Sequence, residues 1–558
     1  MKQKLLTLFV ILFVLISFLP TFYELEKKSA LPSNRSFELV HNYITDYNFY
    51  LSRIREGWDG RWTVVERYTN EPHDGSLIQI FYLLLGKVGR TISDPTVAVT
   101  LVYYAAVAVF SLLLLSGTAW AASLLFPALF WCMLAFLFAV FACGWPIIVP
   151  MGVGWRFGGY MAWFTVVDVL QRITFLPHVV LGQAMVLFLL IAGNDVKTLQ
   201  KTGNCIFLGF LALLLGMIFP PGLVFVGVGL GISMIIETIW KFKTYSRHQW
   251  ETWWSVVIAP RVIIGFISIP ALIYYSTTLS VYPWKRLVEF DALHPLRVSV
   301  FEYIKALGPV LPLGALGLVV AIWKKERAFL SMIAWVVTWM VLFWIFSFIP
   351  QQSPLRFAEM APHIPLAFLA IYLTKVLLDM IHKQKRLPYF GIAVLTVPII
   401  CIVLGMGVMY SAWGWHKDFV DQKVQAGWPA ITMNNYIVYP TAGFIEGMDY
   451  IQTHTATDAI IFSDLTAGNY IPARTGRCVY VGHDNSMNKE GKQVLVQKFF
   501  QGAMDQKDAY AWFAKEHISY VFYGPQEKEH HPNLDLALRY PFLRQVFTNA
   551  DVTIYQLP

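Results

Sequence analysis

Apolar runs long enough to cross a bilayer recur along the first three quarters of the chain. A helical crossing takes roughly 20 residues. Runs of that order lie at about 4–22, 96–117, 119–142, 179–194, 205–219, 220–239, 255–276, 308–323, 328–349, 362–380 and 389–411. They predict a polytopic α-helical membrane protein with about eleven transmembrane helices. Four of the connections are short and basic: 195–204 (Lys197, Lys201), 240–254 (Lys241, Lys243, Arg247), 324–327 (Lys324, Lys325, Arg327) and 381–388 (Lys383, Lys385, Arg386). With the amino end inside, all four face the cytoplasm, as the positive-inside rule asks. A tight, uncharged connection near 118 separates the second run from the third. The segments 23–95, 143–178, 277–307, 350–361 and everything after 411 then lie outside. SLIQIFYLLLGKVGR (76–90) has too short an apolar part to span, and Lys87 and Arg90 close it, so it predicts an interfacial helix.

At about residue 412 the pattern changes. AIIFSD (459–464), RCVYVG (477–482), ISYVFYG (518–524) and VTIYQL (552–557) read as short buried strands. KEGKQVLVQKFFQG and DQKDAYAWFAKEH alternate polar and apolar residues at helical spacing. The expected organisation is a transmembrane domain over 1–411, with its first outside loop at 23–95, and an extracytoplasmic α/β domain over 412–558. No internal repeat is visible.

Composition agrees. Of 558 residues, 56% are hydrophobic and only 14% charged, too few charges to cover a soluble protein of this size. The net charge of +8 is first a topology signal; no lysine-rich run interleaves with aromatics, so nucleic acid is not an expected partner. The five cysteines are scattered, without a CxxC pair or a disulfide framework. MKQKLLTLFVILFVLISFLPTF places basic residues before an apolar stretch and has no small-residue cleavage site, which predicts a retained first span.

Candidate chemistry crowds onto the outside segments. DYNFYLSRIREGWDGRWTVVERYTNEPHDG (46–75) carries Asp46, Glu56, Asp59, Glu66, Glu71, His73 and Asp74, groups able to act as a base or to bind hydroxyls. Tyr47, Phe49, Tyr50, Trp58, Trp62 and Tyr68 offer faces for a sugar ring. Arg53, Arg55, Arg61 and Arg67 suit phosphate. DYNFYLSRI reads as a helix start with Asp46 at or near its N-cap, so Asp46 is either a base or a cap. WFTVVDVLQRITFLPH (163–178) sets Asp168 and Arg172 four apart, then His178 where the chain re-enters the membrane. An i,i+4 ion pair and an interfacial histidine would explain these residues equally. VYPWKRLVEFDALHPLR (281–297) holds Lys285, Arg286, Asp291 and His294, which a solvated loop would explain nearly as well as a functional role. In PQQSPLRFAEMAPH (350–363), Arg356 and Glu359 sit on a turn between two spans where a topogenic cation is unwanted; such a cation pairs with a carboxylate or an anionic ligand. Arg261 lies inside a span. There is no P-loop, GxGxxG, HExxH or GxSxG motif, and the histidines are too dispersed for a dedicated zinc site.

A first helix, a long polar outside loop with Asp46-Tyr47, the QQSPLRFAE segment, many further spans and a tail reading YIPARTGRCVYVGH…YVFYGPQE resemble the GT-C superfamily. These are integral-membrane glycosyltransferases that use polyprenyl-phosphate sugars, among them protein mannosyltransferases, aminoarabinose transferases and oligosaccharyltransferases. The resemblance implies an inverting transfer on the outer face of the cytoplasmic membrane. The partners would be a polyprenyl-phosphate sugar donor, membrane lipids, and a glycan, lipid or protein acceptor. Asp46 would be the base. Arg356, with Arg172 or one of the loop's own arginines, would hold the phosphate, and Tyr47, Glu66, Glu71, His73, His178 and Glu359 would contact substrate. The superfamily often shows a carboxylate pair in the first loop. Here Tyr47 follows Asp46, which leaves a divalent cation open and assigns no metal ligand. Two rivals share these features: a transporter or flippase of a lipid-linked sugar, and a non-catalytic scaffold in envelope glycan assembly.

Overall fold

A computed structural model describes residues 2–40, 44–151, 154–159, 168–242, 245–294, 299–349, 352–384, 388–425, 439–532 and 534–558. The starts of two candidate segments (163–167 and 350–351), the end of another (295–297), and Lys243, Lys385 and Arg386 lie outside the described residues. Among the described residues six helices are long and apolar enough to cross a membrane: Pro95–Leu125, Pro220–Lys241, Arg247–Thr278, Arg327–Phe346, His363–Lys383 and Tyr389–Gln425. Two bent pairs, Lys2–Ser17 with Leu19–Ala30 and Val300–Leu307 with Val310–Trp323, raise the number to eight if each pair is one span. The other predicted runs are helices too, but short ones: Leu129–Phe141, Pro177–Ala192 and Thr202–Ile218. The predicted connection near 118 is corrected. One helix runs unbroken from Pro95 to Leu125, because nothing near Thr118 stops it; its hydroxyl donates to the Leu114 carbonyl in the turn before. The break falls at Pro127, where the ring removes a donor.

The chain forms two compact units. One comprises Met1–Phe18, Ala106–Tyr275 and His294–Gly414; the other comprises Leu19–Ala105, Ser276–Leu293 and Trp415–Pro558. The first holds most of the candidate spans. Large apolar side chains on its helices stand exposed, among them Phe266 (74%) and Val319 (63%), a surface made for hydrocarbon rather than water. An antiparallel hairpin, β1 (Pro146–Met151) with β2 (Gly154–Gly159), follows the Leu129–Phe141 helix. Its WPIIVPMGVGWRFGG sequence gave no strand expectation.

The second unit joins the first polar loop to the C-terminal α/β segment. In the loop, Ile44–Trp58 and Ile80–Gly89 are helices that meet at glycines: a Cβ on Gly86 would lie 1.9 Å from the Ile54 carbonyl oxygen. In the tail, β3 (Ile460–Phe462), β4 (Cys478–Val479), β5 (Ile518–Tyr523), β6 (Arg544–Thr548) and β7 (Thr553–Gln556) form one sheet in the order β4-β3-β5-β7-β6. β3 pairs in parallel with β4 and β5; β7 is antiparallel to β5 and β6. The Lys489–Phe500 and Gln506–Lys515 helices cover it, burying Phe462, Phe499, Phe500, Phe513 and Tyr540 together.

Beyond the carboxyl ends of β3 and β5, the buried Glu527 accepts the Asp464 and Gly524 N–H groups at 2.7 and 3.0 Å. Burial, with Asp464 adding to it, pushes its carboxyl up to about 7. The unfolded chain releases this proton near 4.5, so stability falls as pH rises from there through about 7. Glu527→Gln forfeits one hydrogen bond but flattens that slope. Thermal unfolding of the full chain at pH 5 and pH 8 measures both effects.

Candidate functional site

Most of the loop's candidate ionisable residues are held by partners within the fold; Asp46 is half-exposed. Arg53 is fully buried on the Ile44–Trp58 helix. It donates to Glu66 at 2.5 Å, Glu56 at 3.2 Å, the Val65 carbonyl at 2.6 Å and Gln79 at 3.0 Å. Arg67 lies 3.8 Å from Glu56 and 3.4 Å from Asp59, and Arg55 binds Asp59 at 2.9 Å and the Arg474 carbonyl at 2.6 Å. Burial raises the Glu56 carboxyl, and Arg67 and Arg53 draw it back. This lattice ties the loop to itself and to the Leu465–Thr475 helix. Glu66 therefore serves as a counter-ion inside it.

Glu71 receives the Lys492 ammonium at 2.9 Å and the Thr69 hydroxyl. Lys492 is buried and also donates to Asn70 at 2.6 Å and the Tyr480 carbonyl at 3.1 Å. The His73 ring accepts the Glu66 N–H at Nε2 (2.8 Å), which leaves the proton on Nδ1 to donate to the Glu71 carbonyl at 2.8 Å. Both ring nitrogens are thus engaged by backbone. Tyr47 is buried against Tyr103 and Tyr104, with centroids 5.1 and 6.2 Å away; burial pushes its hydroxyl far up. Phe49 and Tyr68 are buried as well. Among the loop aromatics, Trp62 stands out at 71% exposed, with the Lys87 ammonium 4.3 Å from its ring centroid.

Asp46 differs. It lies in the first turn of the Ile44–Trp58 helix, inside the helix rather than at its cap, where the backbone dipole favours a negative charge. Its side chain is 50% exposed. One carboxylate oxygen faces Nε2 of His483 at 3.6 Å. His483 comes from the loop after β4, a residue no spacing argument joins to Asp46. Only its contact with Phe49 and Tyr68, two of the loop's aromatics, would have pointed to it.

The other candidate residues belong to the first unit. Arg172 is buried and donates to the carbonyls of Ala142 (2.8 Å), Ala139 (3.1 Å) and Val140. It caps the end of the Leu129–Phe141 helix, whose last carbonyls have no partner within the helix. Burial lowers its guanidinium to about 10. The Asp168 carboxylate accepts the Leu170 N–H at 2.8 Å, and its carbonyl accepts the Arg172 N–H. His178 opens the Pro177–Ala192 helix beside Phe219 and has the Arg356 guanidinium as its charged neighbour. Arg356 lies within the short turn Leu355–Ala358 and Glu359 follows it, both half-buried. The Glu359 carbonyl accepts from Gln183 at 2.6 Å, and the next carbonyl, of Met360, accepts the Trp335 indole N–H at 2.8 Å, so this turn is fixed between helices. Arg356 and His178, 178 residues apart in sequence, are brought together. Arg261 pairs with Glu237 at 3.1 Å. Among the described residues no group of three or more His, Cys, Asp or Glu side chains converges to hold a metal ion.

No protein-family model and no curated protein matches the chain. Solved structures do match. The Archaeoglobus fulgidus oligosaccharyltransferase in its apo form aligns over 98% of this chain and 74% of its own, with a TM-score of 0.53 at 11% identity. The same enzyme in complex with Zn and sulfate aligns over 98% and 73%, with a TM-score of 0.51 at 12% identity. Such low identity speaks for backbone architecture, helical spans followed by an α/β domain. The chain thus shares the overall fold of that oligosaccharyltransferase.

Proposed function

We propose that this chain is an inverting glycosyltransferase of the cytoplasmic membrane, moving a sugar from a polyprenyl-phosphate donor to an acceptor hydroxyl on the outer face. The observation that carries the reading is Asp46: a half-exposed carboxylate in a helix's first turn, on a loop where Glu56, Asp59, Glu66, Glu71 and His73 are engaged by internal partners. The fold likeness supports the reaction class. The basic connections at 195–204, 240–254, 324–327 and 381–388 support the orientation, with the amino end inside and the α/β domain outside.

Asp46 takes the acceptor hydroxyl's proton as that oxygen attacks the anomeric carbon. The bond from this carbon to the phosphate oxygen breaks, its electron pair leaves with polyprenyl phosphate, and direct displacement inverts the centre. Arg356, beside His178 on a turn fixed between helices, binds the donor phosphate through its planar guanidinium. Arg172 maintains the helix end it caps. Among the described residues the donor set does not fit a metal ion.

Arg356→Ala is expected to raise KM for the donor by on the order of tenfold or more, the loss of one charge-assisted contact of about 1.5–3 kcal/mol. Arg356→Lys recovers only part, since an ammonium lacks the fork. Steady-state release of polyprenyl phosphate at varied donor concentration checks this, and NMR of the product reads the anomeric configuration. Retention in place of inversion would remove direct displacement.

A further inference from the structure

His483 is held in a manner unlike a surface histidine. Its side chain is only 5% exposed. The ring lies nearly parallel to Phe49 (centroids 4.5 Å, 14° between planes), with Tyr68 at 5.3 Å. Nδ1 accepts the Asn485 N–H at 3.2 Å, so the ring proton sits on Nε2, the atom facing Asp46 Oδ1 at 3.6 Å. The loop carrying it is tied down in turn: the Ser486 hydroxyl oxygen accepts the N–H groups of Gly482 and His483, both at 3.2 Å. Beneath it, Gly482 and Gly468 bring the loop and the Leu465–Thr475 helix into backbone contact, where a Cβ on Gly482 would lie 2.2 Å from the Gly468 carbonyl oxygen. That helix packs on Ile44–Trp58 and is pinned to it by a buried Asn48–Asn469 hydrogen bond of 2.8 Å. Ring plane, tautomer and loop position are therefore each set by a separate contact.

We infer that His483, supplied by the C-terminal α/β segment, is a positioning residue for Asp46. The inference rests on Asp46 being the base. The imidazole N–H faces one carboxylate oxygen from 3.6 Å, just beyond hydrogen-bond length, and its dipole biases the rotamer, which leaves the other oxygen, on a half-exposed side chain, to receive the acceptor's proton. The C-terminal segment is then part of the catalytic apparatus rather than only a recognition module.

The test uses the full chain in lipid nanodiscs. His483→Phe keeps a flat ring between Phe49 and Tyr68 and removes the N–H; His483→Gln keeps a donor near the Nε2 position. With polyprenyl-phosphate mannose, glucose and aminoarabinose as probes, His483→Phe should lower kcat by on the order of 10²-fold at unchanged KM. His483→Gln should recover part of that, and adding His483→Phe to Asp46→Ala should cost nothing more. A wild-type rate in His483→Phe, or the same fold-loss with and without Asp46, overturns the inference. A donor-free measurement stands beside these. In chain labelled with ¹⁵N-histidine, the His483 Nε2 resonance, assigned by its absence in His483→Phe, should move when Asp46 becomes Asn. An unmoved resonance overturns the contact. Release unaffected by Asp46→Ala, with the resonance still moving, would instead refute Asp46 as base.

Discussion

Asp46→Ala lowers the rate of polyprenyl-phosphate release by about 10²–10⁴-fold, the usual worth of a positioned general base. The Asp46 side chain is 50% exposed, so water can take the place of its carboxylate beside the His483 N–H at 3.6 Å. Thermal stability should change by no more than the first-turn helix-dipole effect, about 0.3–1 kcal/mol. The split between a large kinetic effect and a small stability effect is the signature. Asp46→Asn, nearly isosteric but unable to accept a proton as a base, should match the alanine variant in rate. Were asparagine to retain the wild-type rate, the carboxylate would be structural and the base would have to be sought elsewhere.

Arg53→Met has the opposite signature. Arg53 neutralises Glu66 and Glu56 at zero side-chain exposure. Removing it leaves Glu66 with the Tyr68 N–H at 3.2 Å and no cation, while Glu56 keeps Arg67 at 3.8 Å. Breaking a buried ion pair from one side costs about 3–5 kcal/mol, because the remaining charge stays desolvated. The onset of thermal unfolding in detergent should drop, and the 59–76 segment should become cleavable by added protease. The double variant Arg53→Met, Glu66→Leu should recover most of the loss, since an apolar pair of similar volume often replaces an ion pair at little cost. A double variant no better than the single one would show that the geometry of the lattice, rather than the orphaned carboxylate, sets the stability.

Periodicity and run length made much of the fold legible. Apolar runs become helices, and four of the five tail strands fall within the segments read as short buried strands. The exceptions have local causes. RQVFT (544–548) forms β6 at a sheet edge, where two polar residues lead and apolar content is low. The Leu465–Thr475 helix, for which no expectation was made, holds Gly468 and Pro472 inside it, yet it is almost wholly buried, and packing decides its structure. In the Pro95–Leu125 helix, hydropathy alone divided a continuous element, since a glycine–threonine pair resembles a turn only when the breaker at Pro127 is overlooked.

The candidate site was legible as a set of residue types but not as a set of roles. A carboxylate, a histidine and an arginine look alike in sequence whether the fold engages them or leaves them to a ligand. Glu66, Glu71, His73 and Arg172 differ from Asp46 in what surrounds them: respectively Arg53, Lys492, two backbone groups and a helix end. His483 lies 437 positions from Asp46. Only the fold closes that distance.

The most direct measurement incubates the purified full chain with polyprenyl-phosphate mannose, glucose and aminoarabinose together with crude membrane acceptors, and follows free polyprenyl phosphate. The account predicts that one of these donors is consumed, with polyprenyl phosphate released in step with glycosylated product. No release from any of them, accompanied by movement of a labelled donor across a liposome bilayer, would contradict it and mark the chain as a transporter.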